Sequence, residues 1–313
     1  MTNSKRNIRL KPISFIIITY NRPDDTLALL RNIMSLDGAG SLLQEVVLVN
    51  NASTSDYSSV QAYCREQHPA PIHYEDAPEN LGVARGRNYA LRFATAPILV
   101  MIDDDAEMGN SDCLYRLLEE FERQRSERPK AIVSFKVLYY DTRELQRNTL
   151  PHKQFDRYKN KSFFETYFYA GGAHAIRRSA LDVVGDYPED FFYGMEEYDL
   201  SYRLLDAGFS IVYSDAIIML HKESPLGRKP KAEKVQMMWV NKSKVAWRYL
   251  PLRFFWTTAL LWSVEYLVKS GSKIGGFFSG WRAIFRMMRQ EKRRTVSKDT
   301  LLHLDALGAR LWY

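Results

Sequence analysis

The sequence is poor in cysteine and has no long apolar run. Its 313 residues include only two cysteines, Cys64 and Cys113, which are too few for a disulfide scaffold and fit a reducing cytosol. Residues 1–12 are polar and basic, unlike a secretory signal peptide. Within the apolar segment 251–268, the uncharged window Phe254–Val264 holds only 11 residues, whereas a membrane-spanning helix needs about 20. We therefore expect a cytoplasmic protein without a transmembrane helix.

Internal repeats, low-complexity tracts and a glycine-rich phosphate loop near the N terminus are also lacking. The charge is distributed unevenly along the chain. Residues 1–221 hold 25 Lys/Arg and 31 Asp/Glu, a net charge of −6, whereas residues 222–313 hold 19 and 6, a net charge of +13. The chain is long enough to bury a large core. We predict an α/β domain over residues 1–221 and a basic, apolar helical extension over residues 222–313.

Strand and helix patterns alternate in the first third of the chain. Short apolar runs rich in β-branched residues predict strands at Ile13–Thr19, Glu45–Val49, Ile72–Tyr74 and Ile98–Ile102. Helical spacing between these runs predicts a mostly parallel sheet with helices on both faces. Loops rich in Asn, Asp and Gly follow the strands, and this is where open α/β sheets bind nucleotides.

The remaining patterns are shorter. Helices are predicted at residues 56–67, Val83–Phe93, 111–124, Ser179–Val184 and Glu196–Ala207, and strands at Ala131–Val137, Ile211–Tyr213 and Ala216–Leu220. Gly208 is placed to end the helix before it. Residues 138–168 show no clear period.

Three consecutive aspartates, Asp103, Asp104 and Asp105, follow the predicted strand Ile98–Ile102. Adjacent carboxylates repel one another unless a cation neutralises them. Mg²⁺ and Mn²⁺ prefer oxygen ligands and commonly bridge a carboxylate to a substrate phosphate. A solvated turn that begins a helix is the alternative interpretation. The cluster therefore predicts a divalent-metal site near a bound phosphate.

Five segments, in order, resemble the inverting glycosyltransferases of family 2, which have the GT-A fold. They are Thr19–Arg22, Val49–Thr54, Glu79–Gly82 with Arg87-Asn88, Asp103–Asp105 and Phe191–Leu204. The resemblance covers residues 12–222, and the nearest branch is that of rhamnosyltransferase-like enzymes of bacterial surface polysaccharides. It implies an α/β fold with a Rossmann-like, nucleotide-sugar-binding mixed sheet flanked by helices.

The resemblance also implies a site for a nucleotide-diphosphate sugar. The implied donor-binding residues are Thr19, Tyr20, Asn21, Arg22, Asn50, Asn80, Arg87, Asp103 and Asp104. Asn50 stands where many relatives carry an Asp that reads the base, and its amide can both donate and accept toward a pyrimidine edge. Arg87, or its neighbour Arg85, could bind phosphate oxygens in bidentate fashion. The alternative for both arginines is a solvated helix face.

A metal site is implied by the family's Asp-x-Asp motif, which Asp103 and Asp105 match. Asp105 would bind Mn²⁺ or Mg²⁺ directly, and Asp103 would contact the ribose, the metal or a metal-bound water. Asp104 is either a donor contact or a turn residue. In relatives a His at the position of His221 can complete the metal site, although a lone His is often structural.

The catalytic base implied by the resemblance is Glu197, with Glu196 as the alternative. A base must take the proton of the acceptor hydroxyl as it attacks the anomeric carbon. Relatives usually carry Asp at the position of Glu197. Alternatively, both carboxylates merely favour the N terminus of their helix. Asp199 and Arg203 are expected to form an i,i+4 ion pair, and Gly171-Gly172 matches the lining of the sugar pocket.

Aromatic and basic residues interleave near the C terminus. Apolar side chains at Phe277, Phe278, Trp281, Ile284, Phe285 and Met288 alternate with Arg282, Arg286 and Arg289. This composition is typical of an amphipathic helix on anionic lipid. The alternative is a helix packed on the catalytic domain with its basic face in solvent. Nucleic acid is not expected as a partner, because the acidic body offers no basic groove.

These observations predict a metal-dependent inverting glycosyltransferase. It would transfer a hexosyl or deoxyhexosyl unit to a glycan or lipid-linked acceptor in surface polysaccharide biosynthesis. We expect it in the cytoplasm, peripheral on the inner face of the cell membrane. One alternative is a nucleotidyltransferase, which the missing glycine-rich phosphate loop disfavours. Another is a catalytically inactive protein that binds a sugar nucleotide.

Overall fold

The structure is a computed structural model that describes residues 10–223 and 231–312. The strands are β1 (Ile13–Thr19), β2 (Leu43–Asn50), β3 (Ile72–Asp76), β4 (Ile98–Asp103), β5 (Ala106–Met108), β6 (Lys130–Tyr139), β7 (Phe163–Thr166), β8 (Ala173–Arg177) and β9 (Ser210–His221). The helices are α1 (Pro23–Met34), α2 (Ala39–Leu42), α3 (Ser58–Cys64), α4 (Gly82–Leu91), α5 (Cys113–Glu122), α6 (Phe155–Tyr158), α7 (Arg178–Val184), α8 (Glu196–Asp206), α9 (Lys231–Tyr249), α10 (Leu252–Ser270), α11 (Ile274–Gln290) and α12 (Lys298–Ala306).

One mixed sheet contains all nine strands. Its order is β3-β2-β1-β4-β8-β6-β9-β5, and β7 pairs with β9. The first four strands are parallel, as the alternating pattern predicted. The prediction of a mostly parallel sheet is wrong beyond β4, because β8 runs antiparallel to both β4 and β6. The short strands β5, β7 and β8 were not predicted, since a run of three to five residues carries little periodicity.

The two strands predicted at Ile211–Tyr213 and Ala216–Leu220 are one strand, β9. Its pairing with β6 shifts register: Phe135 pairs with Ser214, and the next residue, Lys136, pairs with Ile218. Such an irregularity inserts unpaired residues and interrupts the alternation of side chains. The predicted gap therefore marks a bulge within a continuous strand.

Alternate side chains of the central strands enter two different cores. In β1, Phe15 and Ile17 point to one face of the sheet and Ile16 to the other, as the pleat requires. Helices α1 and α5 cover the first face. Helices α4, α7 and α8 cover the second face, together with side chains of α9, α10 and α11. The helices beyond residue 222 therefore share a core with the sheet, and the boundary at residues 221 and 222 stays a prediction.

Helices α10 and α11 pack around Trp239 of α9. Its side chain is fully buried, and Nε1 donates a hydrogen bond to the carbonyl of Ala259 at 2.9 Å. Its ring stacks on Tyr266 of α10 and on Phe277 of α11. Within residues 10–223 and 231–312, none of the helices is both long and apolar enough to cross a membrane. Cys64 and Cys113 are both free thiols.

Candidate active site

A cleft of about 820 Å³ opens at the carboxyl ends of β1 and β4. Polar side chains that line it are Tyr20, Arg22, Asn51, Asn80, Arg87, Asp103, Asp104, Asp105, Tyr193, His221, Glu223 and Lys234. Because parallel strands end at the same edge of a sheet, the loops after β1, β2 and β4 meet here. The structure thus brings most of the predicted donor and metal residues to one place.

Asp103, Asp105 and His221 form a group with ligand atoms within 4.8 Å of one another. Asp103 is the last residue of β4, and the pairing of β5 with β9 sets Ala106 opposite His221. The His221 Nε2 lies 3.3 Å from Asp105 Oδ1. Two carboxylates and an imidazole are common ligands of divalent cations. The residues present therefore fit the predicted metal site.

Gln146 orients the imidazole and was missed by the sequence analysis. The His221 Nδ1 donates a hydrogen bond to Gln146 Oε1 at 3.0 Å, so that Nε2 faces Asp105. Metal-binding histidines commonly use their second ring nitrogen in this way. Gln146 is buried but lies in the segment that shows no periodicity. Only the fold brings it beside His221.

Asp104 links the loop after β1 to the end of β4. Its carboxylate accepts hydrogen bonds from the Tyr20 amide at 3.1 Å and from Arg22 Nη1 at 2.7 Å. The same Arg22 nitrogen lies 3.2 Å from Asp105 Oδ2. Burial raises the pKa of Asp104 to about 6 despite the opposing effect of Arg22. Arg22 therefore offsets part of the repulsion within the aspartate cluster.

Thr19 and Asn21 shape the loops behind the cleft. The Thr19 hydroxyl is buried and shares hydrogen bonds with Thr26 at 2.7 Å and Tyr57 at 2.6 Å. Asn21 has a positive φ of 56°, and its Oδ1 accepts a hydrogen bond from the Thr54 amide at 2.8 Å. Asn is among the residues that tolerate this backbone region best. Both side chains stabilise loop conformations, and neither is among those that line the cleft.

Asn50 is also engaged by its neighbours. Its Nδ2 donates to Tyr74 Oη at 3.0 Å and to Asp76 Oδ1 at 2.9 Å, and its Oδ1 accepts from the Ser53 amide at 3.1 Å. Asn50 lies outside the lining of the cleft, whereas its successor Asn51 lies within it. Asn50 was the predicted donor contact, whereas its neighbour Asn51, in the same resembling segment, is the one that lines the cleft.

Asn51 and Asn80 connect the loop after β2 to the start of α4. Asn51 Oδ1 accepts a hydrogen bond from the Leu81 amide at 2.8 Å, and its Nδ2 donates to Asn80 Oδ1 at 3.2 Å. Asn80 Oδ1 also accepts from the Gly82 amide at 3.0 Å, which satisfies a free donor at the helix start. Asn80 therefore lies at the predicted place, and its visible role is to fix this helix.

Two glutamates begin α8, and neither is among the residues that line the cleft, although Arg87 of the lining contacts Glu196. Met195, directly before them, has a positive φ of 76°, which is strained for a residue other than Gly, Asn or Asp. Glu196 is only 2% exposed, and its Oε1 lies 3.4 Å from Arg87 Nη1. Arg87 also donates to the Gly171 carbonyl at 2.8 Å. Among the described residues, Glu196 Oε2 has no hydrogen-bond partner.

Gly171 and Gly172 separate the glutamates from the metal group. A Cβ at Gly171 would overlap the Glu197 carboxylate, and a Cβ at Gly172 would overlap the Asp103 carboxylate. Glycine is therefore required at both positions for these carboxylates to approach the backbone. The predicted base and the predicted metal ligand therefore contact two neighbouring glycines of one segment.

Burial and the repulsion between Glu196 and Glu197 favour a proton on one of the two carboxylates. Burial raises the pKa of Glu197, and the negative charge of Glu196 raises it further, while Arg87 opposes both effects. Arg87 is itself buried, yet the groups around it, Tyr187 and the two glutamates, raise its pKa, so it stays charged. A glutamate with a raised pKa is suited to accept a proton near neutral pH.

The predicted pair of Asp199 and Arg203 is confirmed, with Arg203 Nε 3.0 Å from Asp199 Oδ1. Arg85 is exposed and pairs with Glu79 at 2.8 Å, so it occupies the solvated helix face. Phe192, Tyr193 and Lys234 also line the cleft and were not predicted as site residues. The two aromatic residues belong to a segment that resembles the family, whereas nothing in the sequence around Lys234 marks it.

A family model described as Glycosyl transferase family 2 matches residues 14–185. The chain belongs to this family. An uncharacterized protein of Haemophilus influenzae is 26% identical over 178 residues, which cover 56% of this chain and 92% of that protein. Polypeptide N-acetylgalactosaminyltransferase 3 of Mus musculus is 25% identical over 233 residues, or 65% of this chain. Those residues make up 35% of the mouse protein, so the chain spans about a third of its length.

Solved structures of glycosyltransferases share the fold. GalNAc-T7 with UDP, GalNAc and Mn²⁺ aligns over 91% of this chain and 57% of its own, with a TM-score of 0.60 and 15% identity. The Pyrobaculum calidifontis mannosyltransferase PcManGT with GDP-Man and Mn²⁺ aligns over 98% of this chain and 82% of its own (TM-score 0.57, 17% identity). TarS 1-349 of S. aureus with UDP-GlcNAc aligns over 88% and 82% (TM-score 0.57, 16% identity). The predicted GT-A fold is confirmed, whereas the rhamnosyltransferase-like branch stays a prediction.

Proposed function

We propose that this chain is a metal-dependent inverting glycosyltransferase that uses a nucleotide-diphosphate sugar as donor. The observation that carries the proposal is the meeting of two groups across Gly171-Gly172. The metal group of Asp103, Asp105 and His221 reaches Gly172 through Asp103, and the pair of buried Glu196 and partly buried Glu197 reaches Gly171 through Glu197. Metal, donor and base are the three requirements of this reaction. Structural relatives solved with UDP or GDP-Man and Mn²⁺ support the assignment.

The cleft would bind the donor through its diphosphate. Asp103, Asp105 and His221 would hold Mn²⁺ or Mg²⁺, and the ion would neutralise charge on the diphosphate leaving group. Tyr20 and Arg22 line the side formed by the loop after β1, and Asn51, after β2, and Asn80, between β3 and α4, also line the cleft. We assign nucleotide contacts to these lining residues, while Thr19, Asn21 and Asn50 hold the loops in place.

Glu197 would act as the general base. It takes the proton of the acceptor hydroxyl while that oxygen attacks the anomeric carbon and the bond from this carbon to the diphosphate oxygen breaks. Attack opposite the leaving group inverts the anomeric configuration. Arg87 and Glu196 set the proton affinity of Glu197 from the buried side. Arg87 also holds the Gly171 carbonyl through a hydrogen bond, and this would keep the base in position relative to the metal group.

The acceptor would be a glycan or a lipid-linked precursor, and the transferred sugar a hexose or deoxyhexose. Phe192 and Tyr193 are both exposed and line the cleft. Exposed aromatic rings at a pocket offer an apolar face together with, in tyrosine, a polar end. A role in surface polysaccharide biosynthesis at the cytoplasmic face of the membrane is consistent with this acceptor. Nucleic acid is not part of the proposal.

A panel of nucleotide sugars tests the function. Each donor is added with Mn²⁺, with Mg²⁺ or with a chelator, and the unfolding midpoint is recorded, because a ligand that binds only the folded state raises it. We expect stabilisation by at least one donor that depends on the metal, followed by release of nucleoside diphosphate on addition of acceptor. Release of pyrophosphate would indicate a nucleotidyltransferase. Stabilisation without any transfer or hydrolysis would indicate an inactive binding protein, and no stabilisation at all would contradict the proposal.

A further inference from the structure

Helix α10 exposes a long apolar face. Its inner face is buried against α9 and α11, whereas large apolar side chains on the opposite side are exposed. We call the exposed set Leu252, Trp256, Leu260, Val264 and Val268 the α10 stripe. Successive members are four residues apart and are therefore neighbours on the helix surface, so the stripe is a continuous row that winds gradually around the helix. Val268 is 74% exposed. A contiguous apolar face of this length on a folded protein usually marks an interaction site.

Helix α11 also exposes large apolar side chains, and these lie beside arginines. Its inner side, Gly280, Ile284 and Met287, is buried. The outer side carries Phe278 and Phe285, which are exposed and share a shallow groove with Arg282, Arg286 and Arg289. We call these five outer residues the α11 arginine face. The solvent-exposed side of α11 therefore combines aromatic rings with cations, whereas the exposed side of an ordinary amphipathic helix is polar.

The three arginines have no acidic partners among residues 10–223 and 231–312. Elsewhere in the protein, arginines such as Arg22, Arg203 and Arg248 pair with carboxylates. Within the part of the chain that the structure describes, Arg282, Arg286 and Arg289 form no ion pair, although all three are exposed. The C-terminal region has a net charge of +13, so no excess of acid is available to neutralise them. These cations are available to an external anion.

We propose that the α10 stripe and the α11 arginine face bind the surface of a membrane that contains anionic lipid. Trp and Phe side chains favour the interface between headgroups and acyl chains. Guanidinium groups match phosphate oxygens in bidentate fashion and are attracted by the negative surface potential. The inference is independent of the transferase reaction, because it needs no donor and no catalytic residue.

Charge complementarity selects lipid as the occupant. A second copy of the chain bound through the same face would bring two identical, positively charged faces into one interface, without any added acid to neutralise them. Nucleic acid would satisfy the arginines but would leave the α10 stripe exposed to water. An anionic bilayer satisfies both, since it offers phosphates to the arginines and an apolar layer to the stripe.

Substitutions are a better test than truncation. Removal of α11 would take Ile284 and Met287 out of the core, so the remaining chain would be destabilised. The first variant is the triple change Arg282→Gln, Arg286→Gln and Arg289→Gln. The second variant is Leu260→Ser with Val264→Ser, which shortens the α10 stripe. All five side chains are exposed, so the unfolding midpoint should stay close to that of the unmodified chain.

A matched control removes the same charge elsewhere. Arg65, Arg92 and Arg157 are exposed and lie outside the C-terminal helices. Their triple change to Gln alters the net charge by the same amount as the first variant. If binding reflects the local face and not the overall charge, this control should bind vesicles like the unmodified chain.

Co-sedimentation uses the full chain with phosphatidylcholine vesicles, with and without phosphatidylserine. We expect binding only to the vesicles with phosphatidylserine. Because each arginine near an anionic surface contributes a several-fold gain in binding, the arginine variant should bind about 100-fold more weakly. That difference should shrink at high salt. The stripe variant should also bind more weakly, with a loss that salt does not remove.

Several outcomes would overturn the inference. The unmodified chain could fail to bind vesicles of either composition, or the control could lose as much binding as the arginine variant. A dimer that forms in sedimentation velocity, dissociates in the stripe variant and is unaffected by vesicles would show that the face binds a second copy. None of these outcomes would affect donor binding, so the proposed transferase function would be judged separately.

Discussion

The cleft and the outer face of the C-terminal helices differ in the burial and pairing of their charged side chains. In the cleft, charged groups are buried and face one another, as Arg87 faces Glu196 and Arg22 faces Asp104. On α11, the arginines are exposed and have no acidic partner among the described residues. Buried charges are tolerated only when they are paired, whereas exposed ones cost little. The comparison suggests that the cleft is organised around small ligands and the outer face around an extended anionic surface.

The two regions are joined at the helix that carries the base. Asp199 of α8 is buried and lies 2.8 Å from Arg248 Nη1 of α9, and Tyr249 Oη donates to it at 2.9 Å. Glu196 and Glu197 begin the same helix. The C-terminal helices therefore fix the position of α8 relative to the sheet, in addition to presenting their outer face.

The largest expected effect is on the base. Glu197→Gln keeps the size of the side chain but cannot accept the proton. We expect transfer to fall by about 10²-fold or more, with donor affinity close to that of the unmodified chain in calorimetry. Glu196→Gln is the matched variant one residue away. Normal transfer by Glu197→Gln together with a large loss in Glu196→Gln would assign the base to Glu196.

The next largest expected effect is on stability, at Asp199, which joins α8 to the C-terminal helices. Asp199→Asn would leave Arg203 and Arg248 facing a neutral amide, and we expect the free energy of unfolding to fall by about 2–3 kcal/mol. Denaturant unfolding measures this loss. Glu119→Gln, which removes an exposed i,i+4 pair with Arg123, should leave the unfolding curve unchanged. Equal stability of Asp199→Asn and the unmodified chain would show that the two regions are not coupled there.

Gly172→Ala tests the approach of Asp103 to the backbone. The added Cβ would overlap the Asp103 carboxylate, which must then move away from the other metal ligands. We expect metal-dependent donor binding to weaken about tenfold or more, since small displacements in such sites have large effects. Gly275→Ala on α11 is the control, because its Cβ would meet open space. A fully active Gly172→Ala variant would contradict the assigned role of Asp103.

The pH profile of transfer should reflect the raised pKa of Glu197. A general base must be deprotonated, so the acid limb should lie above the usual titration range of glutamate, and the rate should fall about tenfold per pH unit below it. Because Glu196 raises the pKa of Glu197, Glu196→Gln should move the limb to lower pH. A limb that moves to higher pH in this variant would show that Glu196 does not act on the base in this way.

The sequence predicted the parts of the site that depend on local pattern. The strand before the aspartate cluster, the start of α8 at Glu196 and the end of that helix at Gly208 follow from apolar runs and turn residues. The roles of Asn51 and Gln146 could not be predicted, because they depend on which loops and strands become neighbours. Periodicity alone does not reveal such contacts between distant segments.

Helix α11 also shows that periodicity alone does not reveal contacts between distant segments. The sequence predicted an amphipathic helix whose apolar residues include Ile284, Phe278 and Phe285, without distinguishing among them. In the structure Ile284 is fully buried, whereas Phe278 and Phe285 are exposed beside the arginines. The pattern therefore identified an amphipathic helix, but the packing on Trp239 decided which apolar residues belong to the core. The structure agrees with the alternative of a helix packed on the domain with its basic face in solvent, and contact of α11 with anionic lipid stays a prediction.

Metal-dependent donor binding tests the central claim most directly. Titration calorimetry would compare UDP and GDP sugars with Mn²⁺ and with a chelator, for the unmodified chain and for Asp105→Asn. We predict that the unmodified chain binds a donor only with Mn²⁺, and that Asp105→Asn keeps its unfolding transition but loses this metal-dependent binding. An unchanged Mn²⁺-dependent affinity in Asp105→Asn would contradict the assignment of the cleft as a metal-assisted nucleotide-sugar site.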